Sequence, residues 1–188
     1  MENLVLDDFY ILMHQAVLNH VTFLQYIQSC YKSGQLLPGC YRPGLTRWNI
    51  NISVAGTGDT LLTLAAKNGS CKFITAFYEA YGDKINSMNK SDANSQTPLI
   101  VAAINNHLGV IEVLSKCFHK KIDCNLLDIN NLSVLMHAII KDNCECIELL
   151  HKYFADNINP NLVGKCNHSA LMIASQSGVP NCIQTLYQ

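Results

Sequence analysis

One spacing constrains this chain more than any other feature. A short apolar segment with an alanine five positions after its first residue recurs from Ile11, Thr60, Thr97, Ser133 and Ser169, the last three steps being 37, 36 and 36 residues. The most complete copy is Thr97-Pro98-Leu99-Ile100-Val101-Ala102-Ala103, where proline presets the first helical turn and the alanines let a neighbouring helix approach. Self-similarity at such a period marks a supersecondary unit stacked on copies of itself.

Nine positions after each start stands His20, Gly69, Asn106, Asp142 or Gly178, residues that tolerate the turn or left-handed conformation ending a short helix. A second apolar pattern follows: Phe73, Ile74, Ala76 and Phe77 in one copy, Val110, Ile111, Val113 and Leu114 in the next, then Cys146, Ile147, Leu149 and Leu150, and finally Cys182, Ile183 and Leu186. Its spacing is helical, so each unit reads as a pair of short antiparallel helices. Polar connectors carry a recurring signal: Asn49-Ile50-Asn51, Lys84-Ile85-Asn86, Asp123-Cys124-Asn125 and Asn157-Ile158-Asn159. Alternating residues followed by Gly58, Asn94, Asn131 or Asn167 predict an extended finger with a tight turn at its tip. From the signal's last residue to the next helix start is 9, 11, 8 and 10 residues, so the tips should differ.

These residues resemble the ankyrin repeat, whose unit is about 33 residues with a T-P-L-H-x-A signature. The resemblance covers roughly residues 8 to 188 and implies an all-α ankyrin-repeat solenoid of about five helix-turn-helix units with finger loops. The units read as 8–48 with an inserted loop 29–48, 49–86, 87–125, 126–159 and 160–188, one domain over 1–188. Departures are the serine starts in two copies, the isoleucine start in the first, and a signature histidine only at His14. The inserted loop holds both arginines (Arg42, Arg47), the only tryptophan (Trp48), Tyr31 and Tyr41, among glycines and prolines that make it a loop rather than a helix.

Composition narrows the function. Apolar residues are 49% of the chain, ample for a core, while charged residues are 14% against the roughly 25% usual in soluble domains. A net charge of -1, with no basic run longer than Lys120-Lys121, argues against nucleic acid and anionic membrane as partners. No cationic signal-peptide region opens the chain, and no run reaches the 18 or so apolar residues of a membrane span. Nine cysteines, an odd number at no disulfide-framework spacing, point to a reducing compartment, by default the cytoplasm.

Catalytic and metal constellations fail on geometry. The thiols of Cys144 and Cys146, two apart on a helix, face different sides, and Cys146 shares the core slot of Phe73 and Val110. Cys117 and His119 lack an orienting group and an oxyanion hole, and His119 suits a helix C-terminus. His14 and His137 read as structural or interhelical. The expectation is therefore no catalytic residue, no metal and no cofactor.

What remains is binding. Ankyrin-like proteins contact partners through finger tips and the exposed side of the first helices, which carried onto this chain names Thr57, Asp59, Lys67, Asn68, Asn94, Gln96, Ile104, Asn105, Asn130, Leu132, Ile140, Lys141, His168, Gln176 and Ser177. Ile104, Leu132 and Ile140 make the middle of this face apolar and place a hot spot there. The loop with Tyr41, Arg42, Arg47 and Trp48 is the second candidate, since Trp, Tyr and Arg dominate hot spots. The first reading is a monomeric protein-protein interaction module with an unidentified protein partner. Its asparagine-rich, arginine-poor composition suits an AT-rich genome and, by analogy, a pathogen effector in a host cell. The alternative is the recognition part of a longer enzyme or adaptor, because Cys182, Ile183 and Leu186 need cover.

Overall fold

The computed structural model describes residues 51, 53, 56–164 and 167–179. The first copy, the inserted loop and the Cys182, Ile183 and Leu186 stripe lie outside them. Seven α-helices are seen among the described residues: α1 (Leu61–Lys67), α2 (Cys71–Tyr81), α3 (Pro98–Ile104), α4 (Leu108–Phe118), α5 (Val134–Ile140), α6 (Cys144–Phe154) and α7 (Ala170–Ser177). They form three helix pairs and the first member of a fourth. A 3-10 turn, Gly82–Lys84, follows α2.

Each first helix starts where the repeat does. Thr60, Thr97, Ser133 and Ser169 are N-caps whose hydroxyls accept the N–H three residues on, which answers one of the unpaired amides of a helix start. Pro98 occupies the first turn of α3, where its missing N–H costs nothing. The helices end as expected too: Gly69, Asn106, Asp142 and Gly178, nine positions after the caps, all have positive φ. First helices stack on first helices and second on second, α1 on α3 on α5 on α7 and α2 on α4 on α6. The alanines at the contact (Ala65, Ala66, Ala102, Ala103, Ala138, Ala174) are fully buried, as close helix approach requires. Phe73, Phe77, Ile111, Leu114, Leu150 and Phe154 fill the space between layers.

The fingers close at a residue two before each N-cap. Gly58, Ser95, Asn131 and Asn167 take positive φ there, so the second tip turns at Ser95 and not at the neighbouring Asn94. A side chain on Gly58 would meet the backbone of Asp92 and Ala93 at 2.9 to 3.1 Å, because the adjacent finger lies against it. That contact includes the Ala93 N–H donating to Thr57 O at 2.8 Å, and Ile129 N–H donates to Asn94 O at 2.9 Å one finger further on.

The connector signal proves to mix two registers. Asn51 donates its amide to Lys84 O and accepts from Asn86 N–H; Asn89 does the same with Lys121 O and Asp123 N–H; Asn125 with Asn157 O and Asn159 N–H. These six bonds, 2.7 to 2.9 Å long, form an asparagine ladder in which each unit pins the backbone of the next. Asn51 and Asn125 in the signal are pins, whereas Lys84, Asn86, Asn157 and Asn159 are the backbone that pins grip. Counted from the pin, eight residues lead from Asn89 to Thr97 and from Asn125 to Ser133, and nine from Asn51 to Thr60. The expected unevenness of the fingers came from mixing pins with receivers.

Candidate protein interface

Two consecutive fingers are built alike. Asp92 Oδ1 accepts the N–H of Asn94 and Gln96, and Asp92 N–H donates to Gln96 O. Asp128 Oδ1 accepts the N–H of Asn130 and Leu132, and Asp128 N–H donates to Leu132 O. The second carboxylate oxygen then finds a different clasp in each. Lys67, at the end of α1, reaches Asp92 at 3.1 Å and Asp59, the residue before its own N-cap, at 2.6 Å. One cation thus ties two units. Burial pushes its ammonium pKa down, but the two carboxylates outweigh this and hold it above the ordinary lysine value.

The helix slot that would send such a cation to Asp128 holds Ile104, which has no charge to give. His137 Nε2 of α5 takes the place at 2.9 Å, and both partners are buried. Burial raises the Asp128 pKa, yet the Leu132 N–H, His137 and the Asn130 N–H together hold it below the usual carboxylate value. The role expected for His137, structural and interhelical, becomes specific: it anchors the finger in front of its own helix.

In two of the units the residue before the N-cap and the one eight positions later meet across the first helix. Asp59 and Lys67 do so as an ion pair, and His168 Nε2 and Gln176 Nε2 lie 3.3 Å apart. The same register pairs Gln96 with Ile104 and Leu132 with Ile140. Four rungs therefore run charged, amide with aliphatic, aliphatic with aliphatic, and polar. Ile104 and Leu132 are half-buried against the core, while Ile140 is 45% exposed.

The other residues expected on this face divide. Asn68 and Asn105 are exposed but give their amides to Leu64 O and Val101 O of their own helices. Lys141, Asn94, Asn130, Thr57 and Ser177 are exposed, and Asp59 is buried in its ion pair. Tyr41, Arg42, Arg47 and Trp48 lie outside the described residues. One residue escaped the sequence reading. Ile129, at the tip of the Asp128 finger, is 64% exposed, the highest value of any large apolar side chain among the described residues. The signal was available, since the matching slot of the preceding finger holds only Ala93.

The thiols offer no comparable arrangement. Cys146 is fully buried, and burial pushes its thiol up to about 12, far from a thiolate at neutral pH. Burial first, then the charge of Glu79, raises the Cys117 thiol, and His119 stacks on Phe154 at 6.4 Å. Among the described residues no three His, Cys, Asp or Glu side chains are grouped to hold a metal ion. Nor is any described helix long and apolar enough to cross a membrane.

Comparison with known families agrees with this architecture: the model described as ankyrin repeats (3 copies) matches residues 12–128 and 116–188. No curated protein shows significant similarity to the chain.

Proposed function

The chain belongs to the ankyrin-repeat family, and from that premise we propose that it captures a protein partner on the finger tips and first helices, centred on Ile129, Leu132, Ile140 and Ile104. Ankyrin repeats are in general protein-protein interaction modules and typically non-catalytic. The observation that carries the reading is Ile129. A rigid finger, fixed by Asp128 and His137, holds an isoleucine out in water where the preceding finger has alanine. Preorganised apolar anchors of this kind lose little entropy on binding. The weak net charge supports a protein rather than a nucleic acid or a lipid surface as the partner. Five described cysteines are free thiols, which supports a reducing compartment such as the cytoplasm. The asparagine-rich, arginine-poor composition supports an effector role inside a host cell, with the chain acting as a monomer.

The test is capture from host-cell lysate by the intact chain and by its Ile129→Glu and Ile140→Glu variants. Both side chains project into solvent, so charge there leaves the thermal midpoint in place. The expected result is a protein retained by the parent chain and lost with either variant. Retention of the same proteins by all three would refute the placement of the interface.

A further inference from the structure

The charges of the finger-and-helix face do not cancel evenly along it. Lys67 is answered by Asp59 and Asp92, and Asp128 by His137, so these three carboxylates are buried and committed. At the next rung the anion is missing. Gly164 N–H donates to His168 O as Asp92 N–H does to Gln96 O and Asp128 N–H to Leu132 O, so glycine stands where the two preceding fingers place aspartate. Lys141, which follows Ile140 at the end of α5, is exposed and makes no ion pair among the described residues. Asn68 and Asn105, in the same slot of the two preceding units, are neutral. Asp142 beside it belongs to the left-handed row at the turn into α6.

The apolar part of the face has a pitch. Ile104 and Ile140 hold the same slot, the last residue of first helices stacked one on the next. Helices in contact lie about 8–10 Å apart, so the two isoleucines recur at that spacing. Side chains seven apart on one face of an α-helix are separated by about 10.5 Å. On one face of a strand they recur at about 6.7 Å or, skipping one, about 13 Å, and straddle the pitch.

Resting on the reading of this face as a protein interface, we propose that its partner is an amphipathic helix laid along the stack. Apolar residues seven apart lie over Ile104 and Ile140, and a carboxylate on the helix flank meets Lys141. An acidic flank gains the cation that the fold leaves unanswered and faces no uncommitted carboxylate of the fingers. A basic flank meets Lys141 in repulsion, which makes the same residue a specificity element.

Three synthetic peptides test this. Two are helix-forming with leucine at every seventh position, flanked by glutamate in one and by lysine in the other; the third carries its leucines in strand alternation with glutamate. Fluorescence anisotropy with the intact chain at low salt should show the glutamate helix binding about fivefold or more tighter than the lysine helix. The gap should narrow at high salt, and Lys141→Glu should reverse the order while leaving the thermal midpoint in place. The strand peptide should bind more weakly than the glutamate helix. Equal binding of the two helices, an order unchanged by Lys141→Glu, a strand peptide that binds as well, or no binding of any peptide overturns the proposal. Ile140→Glu tells that failure from failure of the interface itself. If it abolishes binding of two helices that the parent chain does not distinguish, the face stands and the acidic partner falls; if it leaves binding untouched, the interface lies elsewhere and both readings fall.

Discussion

Replacing Asp128 separates the finger clasp from generic burial. The carboxylate accepts two backbone N–H bonds on one oxygen, at 2.8 and 2.9 Å, and the His137 bond on the other at 2.9 Å. Hydrogen bonds to a charged group contribute about 1.5–3 kcal/mol each, but the Asn130 N–H lies on an exposed residue and recovers water when the carboxylate is gone. The Leu132 N–H and the buried His137 recover less. Asp128→Ala should therefore cost about 3–4 kcal/mol, the Leu132 N–H and the His137 ring left without an acceptor accounting for most of it. Asp128→Asn keeps an acceptor for both N–H groups and loses only the charge toward His137, so it should cost about 1–1.5 kcal/mol. Urea titration followed by helical circular dichroism resolves that gap, provided the slope with denaturant stays constant across the three proteins.

Acid supplies a second leg to the same experiment. Asp128 has a folded pKa below its unfolded value, so its contribution is complete above about pH 4 and drains away as pH falls through the lower folded value. The deficit of Asp128→Asn should then shrink in acid. If the alanine and asparagine variants lie within about 0.5 kcal/mol of each other at neutral pH, surface substitutions being of that size, the clasp is not what holds the finger.

Other outcomes follow from the junctions. Asn125→Ala removes both bonds of one pin and should cost about 1–2 kcal/mol by the same titration. Gly58→Ala combines positive φ with contacts of 2.9 to 3.1 Å to the next finger, and a loss of about 1–3 kcal/mol should appear as a lowered thermal midpoint. Iodoacetamide labelling of the native chain near neutral pH, mapped by mass spectrometry, should leave Cys146 unmodified until denaturant is added, because its thiol pKa of about 12 and its burial act together.

The regular part of the fold was legible because its determinants are local. A cap hydroxyl, the alanine five residues on and the left-handed residue at position nine each act within one helix, and they fall at one spacing along the chain. The ladder was only half legible. A pin and its receivers are 32 to 35 residues apart, and asparagine serves both roles, so short motif matching placed Asn51 and Asn86 in one class. The Asp128 clasp was hidden for a related reason. The partner slot used by Lys67 passes to Ile104 in the next unit, and no local pattern announces that His137 takes over. Ile129 was overlooked because an apolar residue between two polar ones in a finger reads as an inward-facing alternation, while the Asp128 turn aims it outward.

The asparagine ladder also bears on where such a chain can be made. Asn51 and Asn89 open the triplets Asn51-Ile52-Ser53 and Asn89-Lys90-Ser91, which are acceptor sites for N-linked sugars in a secretory lumen. A glycan joined to either side-chain nitrogen would replace one of the two hydrogens on the atom that donates to the next unit and set a bulky polar group between units that lie within hydrogen-bond reach. Sugar attachment and unit stacking compete for the same atom. In a glycosylating compartment, modification at Asn51 or Asn89 would burden the joint that this asparagine closes.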